Sequence, residues 1–247
     1  GEADALVAER VWQELAKGLM GQQPSQMFIT LRACGALAQL LPELNALWGV
    51  PQRADYHPEV DTGVHAMMVI DKSAQLQADL GTRFASLCHD FGKGTTPTEV
   101  LPRHTGHEMR SVHLLNEVCD RWRVPKAMRE LAEVVAREHG HIHRCQDLSA
   151  EAALRLIERC DAFRRPERFQ QILLACECDA RGRLGLEDVP YVQAERLGAI
   201  FQTAHAVATD AVAHQARQAP QFATGKGEWI ATQIHAARLA AIAPLFN

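Results

Sequence analysis

With 247 residues, of which 47% are hydrophobic, the chain is long enough for one large or two small domains around a well-filled core. Its net charge of −4 excludes a globally basic nucleic-acid-binding protein, so any contact with RNA would have to be a local patch. The chain has seven cysteines but no CxxC pair, no long apolar run and no signal-peptide pattern. These features predict a soluble, cytoplasmic protein without membrane contacts.

The pattern of the first part of the chain predicts short helices. Aromatic residues are only 6% of the sequence, alanine is abundant and no alternating strand pattern occurs, so the predicted fold is all-α. Apolar residues recur at helical spacing from Ala3 to Met20, and Pro24 begins a second helix. Residues 33–47 predict two short helices broken near Pro42, and the proline-marked stretch 51–58 predicts a loop.

The most informative stretch is Leu87-Cys88-His89-Asp90-Phe91-Gly92-Lys93, which ends a helix predicted to be buried nearly all round. A carboxylate on such a helix must be paired, hydrogen-bonded or bound to a cation, because an unpaired buried charge costs several kcal/mol. Gly92 suits the left-handed residue just past a helix end, where the His89–Asp90 pair would open to substrate. Taken alone, the pair is also explained by a helix-terminal hydrogen bond without a metal.

Two residues elsewhere in the chain favour a metal site. His65 lies on an apolar helical face upstream, and Asp161 lies downstream on what the spacing predicts to be a core-facing stripe. Each by itself is typical of a core histidine or of an ion-pair partner. Three helices that contribute His65, His89-Asp90 and Asp161 together predict a site of nitrogen and oxygen ligands, suited to a divalent first-row metal or magnesium.

Further histidines follow the central stretch. A helix is predicted from Gly106 to Trp122 with His107 in its first turn, and another from Pro125 to His139. The histidine-rich residues 139–145 predict a turn, and their spacing fits no structural zinc pattern. We therefore expect His107 and His139 to line the rim of the metal site, as ligands of a second metal or as acid and base groups.

The remainder of the chain is predicted to be helical as well. Arg164 and Arg165 follow Asp161 directly and are candidates for phosphate or RNA binding, with ion pairing on a solvated face as the alternative. One long helix is expected from Pro190 to Ala219, then a break to Gly227, then a last helix from Glu228 to Leu245. We expect a helical connector in residues 1–50, a domain carrying the chemistry in residues 51–185 and a helical tail in residues 186–247.

The order His65, His89-Asp90, Asp161, with Gly92-Lys93 completing an H-D-x-G-K string, resembles the HD superfamily of metal-dependent phosphohydrolases. The stretches 55–65, 101–108 and 161–169 resemble the HD-containing part of bacterial CCA-adding enzymes, which are tRNA nucleotidyltransferases. The catalytic head of that family, with its Gly-Ser turn and paired-aspartate D-x-D motif, has no counterpart here. The resemblance therefore implies the body and tail: an HD-domain helical bundle followed by a helical tail.

The resemblance also implies an activity. It points to a metal-dependent phosphohydrolase, acting as a 2′,3′-cyclic phosphodiesterase, 2′-nucleotidase and phosphatase in the repair of tRNA 3′ ends. Lys93 would bind a phosphate oxygen, while His107 or His139 would protonate the leaving oxygen. Nickel, manganese, cobalt and magnesium all tolerate the ligands. Two alternatives stay open, a non-catalytic tRNA-binding body and a free-standing HD nucleotidase, and the sequence fixes neither the number of metals nor the oligomeric state.

Overall fold

The computed structural model describes residues 7–218 and 226–246, and this part of the chain is helical and contains no strand. The all-α prediction is therefore confirmed. The described α-helices are α1 (Ala8–Leu19), α2 (Ser25–Ala33), α3 (Leu37–Leu40), α4 (Pro42–Asn45), α5 (Thr62–Gln75), α6 (Leu80–Cys88), α7 (His107–Trp122), α8 (Lys126–His143), α9 (Ala150–Arg159), α10 (Pro166–Arg181), α11 (Val192–His205), α12 (Thr209–Gln218) and α13 (Lys226–Ile242). Within the described residues, none of them is long and apolar enough to cross a membrane.

The chain divides into two compact units. The first comprises Gly1–His143 and Glu167–Tyr191, and the second comprises Arg144–Pro166 and Val192–Asn247. Helices α1 to α4, expected to form a connector, thus belong to the same unit as α5 to α8. The three-part division at residues 50 and 185 stays a prediction.

Helix α6 is the centre of the first unit. It packs against α5 and α8, and every residue from Gly81 to Cys88 is buried, which confirms the prediction of a helix buried nearly all round. Its first turn is capped by the Asp79 side chain, which accepts a hydrogen bond from the backbone N–H of Thr82 at 2.7 Å. A capped, buried helix holds the two residues that follow its C-terminus, His89 and Asp90, in a fixed position.

Gly92 fulfils a packing role that differs from the predicted one. It lies in a 3₁₀ turn, Phe91–Thr95, and is not among the residues with positive φ. A Cβ atom at this position would lie 2.2 Å from the carbonyl oxygen of His107 and 2.6 Å from the backbone nitrogen of Ser111. Only glycine lets the first turn of α7 come this close to the end of α6, and that approach carries His107 to Asp90.

Two helix boundaries also differ from the predicted ones. Helix α8 continues through the histidine-rich residues to His143, so that His139 and His143 lie one turn apart on the same face. The long helix expected from Pro190 to Ala219 is instead two helices, α11 and α12, which end and begin on either side of residues 206–208. The break predicted up to Gly227 lies mostly outside the described residues.

The second unit has a small core of its own. Helix α9 buries Ala153, Leu154, Leu156 and Ile157 and packs against α11 and α13. The His235 side chain of α13 lies between two glutamates of α9, with Nδ1 2.8 Å from Glu158 and Nε2 3.1 Å from Glu151. These contacts join α9 to α11 and α13 within the second unit.

Candidate metal centre

A cluster of histidine and aspartate side chains lies inside the first unit. Its members come from four helices and from the residues that follow α6: His65 (α5), His89 and Asp90 (after α6), His107 (α7), His139 and His143 (α8) and Asp179 (α10). His65, His89, Asp90 and Asp179 expose between 0% and 4% of their surface. Carboxylates buried this deeply require compensating positive charge.

Asp179 brings the first two histidines together. Its Oδ1 atom lies 3.0 Å from Nε2 of His65, and its Oδ2 atom lies 3.6 Å from Nε2 of His89. The same Nε2 of His89 lies 3.2 Å from Oδ2 of Asp90. Three groups of side chains in the described residues are close enough to hold a metal ion: His57–Glu59–His65, His65–His89–Asp179 and His89–Asp90–His139. The last two share His89.

The backbone fixes the orientation of the rings of His89, His107 and His139. Nδ1 of His89 lies 2.7 Å from the carbonyl oxygen of Ser86, and Nδ1 of His107 lies 2.9 Å from that of His104. Nδ1 of His139 lies 3.0 Å from the carbonyl oxygen of Ala136. Because a carbonyl oxygen only accepts, each Nδ1 must carry the hydrogen, and each neutral ring keeps a lone pair on Nε2.

These three Nε2 lone pairs converge on Asp90. Nε2 of His107 lies 3.2 Å from Asp90 Oδ1 and 3.2 Å from Nε2 of His139, so that two lone pairs and a carboxylate face one another. Nε2 of His89 and Oδ1 of Asp90 are buried and have no hydrogen-bond partner. A shared cation resolves both the mutual repulsion and the missing partners, so the residues present fit a divalent metal.

The charges in the cluster are strongly coupled. Burial opposes a charge on His89, yet Asp90 and Asp179 overcome this effect and raise the pKa of His89 to about 9. Burial also opposes the charge on Asp90, but His89, Lys93 and His107 hold its pKa well below its usual range. Burial lowers the pKa of His139 well below its usual range, which leaves that ring neutral. The site therefore demands positive charge at Nε2 of His89, supplied by a proton or by a metal.

Lys93 is not directed at open solvent. Its Nζ atom lies 2.7 Å from Asp90 Oδ2 and donates a hydrogen bond to Oε1 of Gln52 at 2.9 Å, and the residue is only 7% exposed. Lys93 thus neutralises Asp90 first, and any contact with a phosphate oxygen would compete with that ion pair.

Asp161 is not among the side chains of these potential metal-binding groups, and its assignment as a metal ligand stays a prediction. It lies in the second unit, beyond the last residue of α9, with a left-handed φ of 55°. The helical stripe that predicted an inward side chain therefore ends before it. Its oxygens lie 3.8 Å from Arg164 Nε and 3.7 Å from Arg165 Nε, and none of the potential metal-binding groups in the described residues includes it. The two arginines are thus ion-pair neighbours of Asp161 in the second unit.

Asp179 is the aspartate that the sequence reasoning missed. Besides the histidines, Arg183 lies 3.5 Å from its Oδ1 atom. A signal was present, because Asp179 follows the buried residues Ile172 and Cys176 by seven and three positions on one stripe of α10. Burial opposes its charge, but Arg183, His143 and His89 hold the pKa of Asp179 well below its usual range.

His143 was likewise missed as a member of the cluster. Its Nε2 lies 2.6 Å from Asp179 Oδ2, and its Nδ1 lies 2.8 Å from the hydroxyl of Tyr191. The signal was its spacing of four residues from His139, which places both rings on one face only if the helix continues through residues 139–143.

Two parts of the chain match known protein families. Residues 62–165 match the HD domain family, and residues 4–47 match a family described as "Probable RNA and SrmB- binding site of polymerase A". The chain carries an HD domain. The sequence-based resemblance is thereby confirmed. The match to the HD domain ends before α10, so Asp179 lies outside the matched residues although it lies inside the cluster.

The chain also resembles longer proteins over nearly its whole length. It is 64% identical over 245 residues to the Multifunctional CCA protein of Variovorax paradoxus (strain S110), a match that covers 99% of this chain and 58% of that protein. It is 62% identical over 242 residues to the Multifunctional CCA protein of Polaromonas naphthalenivorans (strain CJ2), covering 98% of this chain and 56% of that protein. The HD-containing chain thus spans a little under three fifths of the length of these curated relatives.

Proposed function

We propose that the chain is the HD part of a tRNA CCA-adding and repair enzyme, and that it hydrolyses phosphoesters with a divalent metal. The ligands are His65, His89, Asp90 and Asp179. The observation that carries the proposal is the convergence of buried Nε2 lone pairs and carboxylates, among which His89 Nε2 and Asp90 Oδ1 have no hydrogen-bond partner. Nickel, manganese, cobalt and magnesium are the candidate metals, because all accept a mixture of imidazole and carboxylate ligands.

A divalent metal bound there would lower the pKa of a water molecule and neutralise charge that develops at phosphorus. The protein's own residues would orient the reactants. Backbone carbonyls hold the rings of His89 and His139, so their Nε2 atoms keep one direction throughout a reaction. Lys93 balances the charge of Asp90 and lies close enough to the site to attract a phosphate group.

His107 and His139 are suited to different roles in proton transfer. His139 is neutral with its hydrogen on Nδ1, so its Nε2 accepts a proton or binds a metal but has no proton to give. The His107 side chain is 15% exposed, against 6% for His139, and solvent can deliver a proton to it. We assign proton donation to the leaving oxygen to His107, and ligation or base catalysis to His139.

The proposed partner is the 3′ end of tRNA, and the proposed small substrates are 2′,3′-cyclic and 2′-phosphate nucleotides. Support comes from the match of residues 4–47 to a family described as RNA-binding, and from the resemblance to CCA-adding enzymes. Arg164 and Arg165 remain proposed phosphate contacts, with side chains that are 79% and 42% exposed. Cations on an exposed surface attract a phosphate backbone without reading its sequence.

The test compares hydrolysis of 2′,3′-cyclic AMP by the wild-type chain and by His89→Ala, with nickel, cobalt, manganese and magnesium each supplied to chelator-treated protein. We expect the wild type to open the cyclic phosphate with at least one metal, and His89→Ala to lose roughly 100-fold or more, because a ligand is removed. The matched control is His113→Ala, which removes a histidine that is 75% exposed on α7.

Equal turnover by His89→Ala and the wild type would contradict the assignment of the activity to this site. Binding of a tRNA 3′ end by a wild-type chain without hydrolysis under any metal would favour the non-catalytic tRNA-binding body instead. Hydrolysis without tRNA binding would favour the free-standing nucleotidase.

A further inference from the structure

Glu59 is a buried carboxylate that the sequence did not single out. It lies in the loop before α5, and its side chain is 2% exposed. Its Oε1 atom lies 2.9 Å from Nδ1 of His65 and 3.2 Å from Nδ1 of His57. Its Oε2 atom accepts a hydrogen bond from the backbone N–H of Leu184 at 3.3 Å. Both oxygens are therefore engaged, and the carboxylate is held against one edge of His65.

His65 has carboxylates at both ends of its ring. Nε2 contacts Oδ1 of Asp179 in line at 3.0 Å, whereas Nδ1 faces Glu59 obliquely and has no well-directed hydrogen bond. A neutral imidazole carries only one N–H, so one nitrogen always presents a lone pair. If Nε2 gives its lone pair to a metal shared with Asp179, the hydrogen must sit on Nδ1. There the acceptor within reach is Glu59.

We propose that Glu59 is a positioning residue of the metal site: by accepting the Nδ1–H of His65, it fixes the tautomer and the ring orientation that present Nε2 to the metal. This proposal rests on the proposed function. Histidines that bind metals generally donate their other N–H to a carboxylate or carbonyl, and loss of that partner costs about 10–100-fold in metal affinity. For His89 and His139, the group that accepts the Nδ1–H is a backbone carbonyl, which mutation cannot remove. For His65 that group is a side chain, so its role can be tested by substitution.

Metal binding by this route moves one hydrogen and creates no new charge on the ring. The hydrogen leaves Nε2, where it faces Asp179, and an equivalent hydrogen is taken up on Nδ1 through exchange with solvent. The ring stays neutral, the Nε2 lone pair binds the metal and Glu59 keeps its negative charge. The added negative charge behind the ring also makes His65 a stronger ligand.

The first experiment measures the dissociation constant for cobalt by calorimetry, using chelator-treated wild type, Glu59→Gln and Glu59→Ala. We expect Glu59→Ala to weaken binding about 10–100-fold and Glu59→Gln to weaken it less, because the amide oxygen still accepts the Nδ1–H. The matched control is Glu117→Ala, which removes a glutamate paired with His113 on the exposed face of α7. Helical content measured by circular dichroism verifies that each variant is folded.

The second experiment needs no variant. The imidazole nitrogens of His65 are observed by ¹⁵N NMR before and after addition of zinc, a diamagnetic probe. We expect the zinc-bound wild type to show the hydrogen on Nδ1. A hydrogen that stays on Nε2 with zinc bound would overturn the proposal, as would equal cobalt affinities of folded Glu59→Ala and wild type. A wild-type chain that binds no metal would instead refute the proposed function.

Discussion

At the scale of single residues, burial distinguishes the two candidate aspartates, Asp179 and Asp161. The Asp179 side chain is 5% exposed and contacts three histidines and Arg183, whereas the Asp161 side chain is 29% exposed beside Arg164 and Arg165. Helical periodicity predicts only Asp161 to be inward, because it assumes that the helix continues. For Asp161 the helix had already ended at Arg159. Local spacing alone does not reveal that difference.

A pair of isosteric variants tests this distinction. Asp179→Asn removes a negative ligand while keeping the volume, so we expect bound metal to fall at least tenfold with little change in helical content. Asp161→Asn should bind metal as the wild type does. Metal content is measured by plasma mass spectrometry after dialysis against a fixed free metal concentration. Loss of metal in Asp161→Asn together with retention in Asp179→Asn would reverse the assignment.

The raised pKa of His89 predicts how pH acts on the site. A metal and a proton compete for Nε2, so affinity for cobalt should rise about tenfold per pH unit below pH 9 and level off above it. The stability of the metal-free, chelator-treated protein should change with pH in the opposite direction, falling as the pH rises. Protonated His89 stabilises the fold fully below its unfolded pKa of about 6.5, and this contribution is lost as pH rises through about 9. Calorimetric titrations from pH 6.5 to 9.5 measure the affinity, and a flat profile would contradict the prediction.

At the scale of helices, the sequence located most of the site because each ligand-bearing helix carries its own local signal. His65, His89, Asp90, His107 and His139 were all singled out, and the structure brings them together. The spacing of residues within one helix does not reveal contacts between residues that are far apart in the sequence. Asp179 reaches His65 across 114 positions of sequence, and Glu59 is placed by the backbone of Leu184, 125 positions away.

The close approach of α6 and α7 at Gly92 can be tested by adding one methyl group. Gly92→Ala forces backbone atoms of His107 and Ser111 away, so we expect a loss of about 2–3 kcal/mol in the free energy of unfolding and weaker metal binding. The matched control is Gly198→Ala in α11, where an added Cβ meets nothing within 4 Å. There we expect a gain of up to about 1 kcal/mol. Urea unfolding measures the stability of both variants. Equal stabilities of Gly92→Ala and the wild type would show that the α7 backbone can move aside without a loss of free energy.

At the scale of the whole molecule, the proposed metal ligands and the proposed phosphate contacts belong to different units. All four proposed ligands, and Glu59 with them, lie in Gly1–His143 and Glu167–Tyr191, although the chain leaves this unit at Arg144 and returns at Glu167. The proposed phosphate contacts Arg164 and Arg165 lie in the second unit. Metal binding is therefore expected to depend on the packing of the first unit alone.

Two equivalent core truncations test this expectation. Phe84 of α6 and Phe201 of α11 are each 1% exposed, and replacing either by alanine should cost about 3–5 kcal/mol in its own unit. Phe84→Ala loosens the helix that ends at His89, where the ring also packs edge-on against Trp12, so cobalt affinity should fall with stability. Phe201→Ala disturbs the contact with Phe163 in the second unit and should leave the cobalt dissociation constant within about twofold of wild type. Calorimetry is combined with urea unfolding, and an equal loss of affinity in both variants would mean that the second unit takes part in forming the site.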